Sequence, residues 1–214
     1  MTEQAAMSTK TGVNRNIIAL AIVLVAIIID QAIKVSVKLS MFLHESINVC
    51  GDWFYIYFTE NPGMAFGMEL GSKLFLTLFR IVAVSFLIYY LYKIVRNDKF
   101  PTGYVACIAF VLAGAAGNII DCLFYGEIFT DSEGGIASLV SWGNGYGSFL
   151  HGKVVDMFYF PLFSFDWPSW LPFIGGENFV FFSPIFNFAD ACISCSVIII
   201  AIFYYKYVSL PFRK

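Results

Sequence analysis

The sequence predicts an α-helical membrane protein with four transmembrane helices, a small periplasmic β-sheet and a long second periplasmic loop. Three observations predict it. The chain of 214 residues is 59% hydrophobic and only 13% charged, with a mean hydropathy of +0.75, whereas a soluble domain carries about a quarter charged residues. Four segments approach the roughly 20 apolar residues that a bilayer crossing needs. The basic residues gather in the connections that a four-span chain places on one side of the membrane.

The spans are predicted at about 16–38, 74–95, 102–123 and 184–207, within one membrane domain covering 1–214. The first apolar run follows a polar and then basic start. It is longer than a signal-peptide core and has no small-residue cleavage site, so it reads as a retained span. Lys10 and Arg15, then Lys93, Arg96 and Lys99, then Lys206, Arg213 and Lys214 fall on one side. The two long loops hold few basic residues, Lys73 and Lys153, with Lys38 at a helix end. Both termini are therefore expected in the cytoplasm of a bacterial inner-membrane protein, with the long loops outside.

In the first outer loop, Asp52 to Glu60 is aromatic and β-branched, which predicts strand. The N-P-G at Asn61 to Gly63 marks a turn. The second outer loop, 124–183, begins with a Gly- and Ser-rich stretch expected to be a mobile excursion. It ends in a stretch of Phe, Trp and Pro suited to the membrane interface.

Ionisable groups inside spans are costly and mark function. Asp30 and Lys34 stand four apart at the outer end of the first span, on one helix face where they can pair. Asn118 and Asp121 stand three apart at the outer end of the third span, and Asn187 and Asp190 at the outer start of the fourth. Topology brings all three pairs to one depth. Asn61 enters there from the first outer loop and Asp156 from the second. The alternative is that these groups only join helices by hydrogen bonds, which accounts for one or two of them better than for the whole set. Arg80 looks isolated, and snorkelling to the headgroups accounts for it.

Few chemistries remain. Two histidines, His44 and His151, exclude an H-E-x-x-H zinc site, and His151 reads as a loop surface residue. No G-x-S-x-G elbow, Gly-rich phosphate loop or basic nucleic-acid patch is present. Cys192 and Cys195 form a C-x-x-C within an apolar run, where packing is the simpler reading. No metal and no cofactor are expected. Paired carboxylates are left. Two close aspartates share a proton, so one activates water while the other polarises a carbonyl. A proton-coupled transporter using the same carboxylates is the alternative; it would show internal repeats and polar groups near the midplane, and the sequence shows neither. A purely structural assembly protein would not need both loop and helix aspartates.

Five stretches in order carry a resemblance. They are D-Q-x-x-K at Asp30 to Lys34, E-N-P-G-M-A-F-G at Glu60 to Gly67, A-G-A-A-G-N-I-I-D at Ala113 to Asp121, V-V-D-M-F at Val154 to Phe158, and F-N-F-A-D at Phe186 to Asp190. The chain resembles the lipoprotein signal peptidases, or signal peptidase II, an integral membrane aspartyl protease family. The resemblance implies that Asp156 and Asp190 are catalytic. It implies that Asp30, Lys34, Asn61, Gly114, Asn118, Asp121 and Asn187 support the site or contact substrate. It further implies removal of signal peptides from prolipoproteins just before a diacylglyceryl-modified cysteine, contact with membrane lipids, and inhibition by cyclic peptides of the globomycin type. A monomer is expected. Two features depart from the family pattern. Cys122 stands where an arginine usually follows the aspartate, with Lys153 as a candidate replacement, and the stretch from Asp121 to Asp156 is longer than usual.

Overall fold

The computed structural model describes residues 2–62 and 73–208, with side chains from Arg15 onward. Gly63 to Gly67 of the second motif, and Arg213 and Lys214 of the charge pattern, lie outside those bounds, as does the side chain of Lys10.

The elements follow the hydropathy. Helix α1 (Thr2–Ser40) is continuous from the polar start into the apolar run, so the helix begins earlier than the span it contains. Two strands follow, β1 (Ser46–Cys50) and β2 (Phe54–Asn61), then α2 (Lys73–Val95) and α3 (Thr102–Ile120). A π-helical turn (Asp121–Tyr125) and a short α4 (Gly126–Ile128) extend α3 without a break in direction. Strands β3 (Val154–Tyr159), β4 (Phe163–Asp166), β5 (Asn178–Phe181) and β6 (Ile185–Phe186) come next. Helix α5 (Phe188–Ile199) then runs through a second π-helical turn (Ile200–Tyr204) into α6 (Tyr205–Val208).

Among the described residues, four helices are long and apolar enough to cross a membrane: Arg15–Ser40, Lys73–Val95, Thr102–Ile128 and Phe188–Val208. The chain is a multi-pass membrane protein. The third span is longer than the sequence suggests because the π-helical turn carries helical geometry past Asp121. It is also the hub, since 56% of its apolar window is buried against 11–17% in the other three. Small residues permit this. A Cβ on Gly114 would stand 2.3 Å from the Ala189 carbonyl oxygen, and one on Gly117 would stand 2.6 Å from Asp30 Oδ2. At 114 and 117 glycine is what lets α3 approach α5 and α1.

The ends of the bundle differ. At one end the Arg15 guanidinium meets Asp98 at 3.0 Å and donates to the Phe100 carbonyl at 2.7 Å, tying α1 to the α2–α3 turn. At the other end sits a four-stranded antiparallel sheet in the order β1-β2-β3-β6. Strands β1 and β2 come from the first outer loop, where strand is expected, and β3 and β6 come from the second. β3 pairs with β2 through Thr59–Asp156 and Asn61–Val154, and with β6 through Phe158–Phe186. Side chains alternate along a strand. Val155 and Met157 thus enter a core with Val37, Phe58, Tyr125 and Phe129, while Asp156 faces the other way.

The Gly- and Ser-rich stretch, whose composition predicts a mobile excursion, is fastened at several points. Phe129 and Ser132 are buried, and the Tyr146 and Gly147 amides donate to the Phe129 and Gly126 carbonyls at 2.9 Å. A charged cluster fastens it. Lys38, fully buried, contacts Glu60 and donates to Ser132 Oγ at 2.9 Å, and Ser132 donates to Glu60 Oε1 at 2.9 Å. Lys153 approaches Glu60 Oε2 at 3.2 Å, as a charge contact rather than a well-aligned hydrogen bond.

Candidate active site

The site is built by residues whose orientation is dictated one by the next. Asn187 is the N-cap of α5. Its side-chain oxygen accepts from the Asp190 amide at 3.0 Å, and the Asp190 carboxylate accepts from the Asn187 amide at 3.3 Å, a reciprocal capping box. Only the oxygen of a carboxamide can accept from N–H, so the cap forces the Asn187 NH2 group outward. That group donates to Asp156 Oδ1 at 2.6 Å and to Asn118 Oδ1 at 3.1 Å. One residue therefore holds both aspartates.

Asn118 is oriented from the opposite side. Its oxygen accepts from Lys34 Nζ at 2.7 Å. An ammonium can only donate, so the Asn118 NH2 must face away, and it donates to Asp190 Oδ1 at 2.8 Å. Lys34 in turn is held between Asp30 Oδ2 at 2.9 Å and Asp121 Oδ2 at 2.8 Å, all three side chains nearly free of solvent. Asp30 also accepts from the Ala189 amide at 3.0 Å, linking α1 to the first turn of α5. The Val155 amide reaches Asp121 at 3.4 Å, linking α3 to the strand that carries Asp156. The Asn61 side chain hydrogen-bonds Asp156. Asp30, Lys34, Asn61, Asn118, Asp121, Asp156, Asn187 and Asp190 are thus in one connected network, and Gly114 supplies the close α3–α5 packing beneath it.

Asp156 is 4% exposed and Asp190 is half-buried. Burial, and next the neighbouring Asp190 charge, push the Asp156 carboxyl up to about 7, against the opposing pull of Asn187, Lys34 and Asn61. The stability consequence has a definite sign. A raised carboxyl binds more protons folded than unfolded, so stability falls as pH rises from about 4 and levels off above about 7. Melting temperatures in detergent should show a steeper decline across that window for the native chain than for Asp156→Asn. Equal slopes would contradict the assignment.

Two sequence expectations need correction. Arg80 is not isolated: its guanidinium lies 3.0 Å from Cys122 Sγ, beside the position where the family arginine usually stands. Lys153, a candidate replacement for that arginine, is instead directed at Glu60, Asp131 and Glu133. Gln31, beside Asp30 in the first motif and without a role in the sequence reading, also joins the network. It donates to Asp121 at 2.9 Å and to the Gly117 carbonyl at 3.2 Å, and accepts from the Tyr125 hydroxyl at 3.1 Å. His151 Nδ1 stays within its own loop, 3.0 Å from Ser148 Oγ. The five cysteines are unpaired, Cys192 buried and Cys195 exposed.

Comparison with known proteins decides the family. A model described as Signal peptidase (SPase) II matches residues 22–206. The chain belongs to the signal peptidase II family. It is 54% identical over 190 residues to a lipoprotein signal peptidase of Porphyromonas gingivalis, covering 89% of this chain and 84% of that one. With the lipoprotein signal peptidase of Amoebophilus asiaticus it shares 34% over 198 residues, covering 90% and 80%. Among solved structures, a bacterial membrane enzyme determined in meso at 1.9 Å superposes with a TM-score of 0.58 at 24% identity, covering 86% of this chain and 90% of that one. A second, at 2.3 Å, gives 0.59 at 23%, covering 89% of each; both bear on the fold alone. As a signal peptidase II the chain is an aspartic peptidase that processes lipoprotein precursors, and the transporter alternative finds no support.

Proposed function

We propose that Asp156 and Asp190 are the catalytic pair of this signal peptidase II, cutting prolipoproteins immediately before the diacylglyceryl-modified cysteine. The observation that carries the reading is the shared anchor: Asn187 bonds Asp156 through its amide group and Asp190 through the helix cap. Two carboxylates so linked hold one proton between them. The proton rests on Asp156, whose burial favours the neutral form. Asp190, more open and accepting from Asn118 and Asn187, takes a proton from the attacking water. Asp156 gives its proton to the carbonyl oxygen as the tetrahedral intermediate forms. Collapse then returns a proton to the leaving amine and breaks the peptide bond.

Asp30, Lys34, Asn61, Gly114, Asn118, Asp121 and Asn187 position this pair rather than react. The whole chain acts as one membrane domain. The site lies at the periplasmic face of the bacterial inner membrane, with both termini cytoplasmic, as the basic residues at the Arg15 end of the bundle favour. Its depth suits a substrate whose acyl chains hold the scissile bond at the bilayer surface, and inhibition by cyclic peptides of the globomycin type is expected at the same site. The protein works as a monomer.

The test is cleavage of one precursor with and without its diacylglyceryl group, by purified protein in lipid. The modified form should be cut at least about 100-fold faster, since acyl burial contributes about 0.8 kcal/mol per methylene to placing the substrate. Comparable rates would refute lipid-directed recognition.

A further inference from the structure

Between β3 and β6 the chain leaves the sheet as an arm, 160–184, whose stem is the antiparallel pair β4 and β5. The arm contains no Lys or Arg. Its only charged residues are Asp166 and Glu177, at the base of the tip, where Asp166 is bonded to Asn178 at 2.8 Å. The tip, 167–176, is uncharged and presents large side chains to the outside: Trp170 is 77% and Phe173 99% exposed. With Leu162, Phe163, Phe165 and Phe181, the exposed apolar surface is on the order of 800 Å² at 150–250 Å² per aromatic side chain. Soluble proteins rarely expose a patch above about 600 Å².

We propose that this arm is a membrane anchor whose tip inserts into the interfacial layer of the bilayer. Three observations favour lipid over a protein partner. The arm is rooted at the boundary of a span, because Phe186 directly precedes Asn187, the cap of α5. The aromatic surface is continuous with that root: Phe182 packs edge-on against Phe186 at 5.9 Å, Phe186 stacks on Phe160 at 5.7 Å, and Phe160 stacks on Phe54 at 4.6 Å. Half of the backbone N–H groups of the tip pair within it. Gly176 N–H donates to the Trp167 carbonyl at 2.9 Å, Trp167 N–H to the Glu177 carbonyl at 2.9 Å, and Gly175 N–H to the Leu171 carbonyl at 3.0 Å. That lowers the cost of entering the partly hydrated headgroup layer, where water still serves the remaining groups. Phe173 is held at φ 72°, an unfavourable conformation for an aromatic residue, with its ring fully outward. Trp and Phe at such a position suit the headgroup boundary. The two strands that root the arm are β3, which carries Asp156, and β6, which leads into Asn187, so anchoring sets the depth of both. The proposal rests on the membrane reading of the four helices and not on which aspartates react.

The test uses the full chain in nanodiscs with lipids brominated at graded depths, in a variant retaining only Trp170 (Trp53→Phe, Trp142→Phe, Trp167→Phe). Trp170 fluorescence should be quenched two-fold or more by bromine near the headgroups and little by aqueous iodide. Iodide quenching with no effect of brominated lipid would overturn the proposal and leave a protein partner in its place. Phe173→Asp in the otherwise native chain, a position too exposed to affect packing, gives a second reading. It should at least halve brominated-lipid quenching of the protein's tryptophans; an unchanged value would also overturn the proposal.

Discussion

Asp156→Asn yields a protein that remains folded but cleaves a diacylated precursor at least about 1,000-fold more slowly, and Asp190→Asn does the same. The two differ in stability. At position 156 asparagine can still accept from the Asn187 amide with its own oxygen, and it removes a buried charge that burial and Asp190 both disfavour. Its melting temperature at pH 8 should equal or exceed that of the native protein, as for a site where activity is maintained at the expense of stability. At position 190 both oxygens accept, one from Asn118 and one from the Asn187 amide. An asparagine there must turn an NH2 toward one of those donors, at a cost of about 1 kcal/mol. Purified variants assayed beside their melting curves separate the two effects. Near-native cleavage by either variant would remove the catalytic pair from consideration.

Lys34→Met should cause the largest loss of stability, about 3–5 kcal/mol, because it strands the buried Asp30 and Asp121 carboxylates without their cation. For a chain of this size that is on the order of 10 °C in melting temperature. Activity should fall with it, since Lys34 dictates which way Asn118 faces and Asn118 faces Asp190. Charge, not volume, is the cause. Adding Asp121→Asn to Lys34→Met should therefore recover part of the loss, giving a double variant more stable than the sum of the single changes. Strict additivity in a double-mutant cycle would show that the lysine matters only through packing.

Much of this was legible in the sequence because the signals are local. An apolar run of bilayer length has few options other than a helix. The four-residue spacing of Asp30 and Lys34 places them side by side on any helix, and they are paired at 2.9 Å. The Asn187–Asp190 spacing is that of a capping box, a signal sufficient to place the start of α5 at 188 rather than 184. The sheet was harder. Its strands come from both outer loops, and register between segments distant in sequence has no local signature. The Gly- and Ser-rich stretch misled because composition reports the freedom of an isolated chain. Here Lys38, Glu60, Ser132 and Lys153 supply contacts that outweigh it.

The sequence by itself determined that four spans would bring a set of polar residues to one depth, since hydropathy, charge bias and spacing are properties of each segment alone. Only the tertiary structure decided how those residues face one another. The direction of Asn118 depends on a lysine from another helix, and that of Asn187 on a cap and on a strand from the second loop. The physical reason is that a carboxamide or carboxylate takes its orientation from the donors and acceptors around it, and those come from parts of the chain that meet only when it folds.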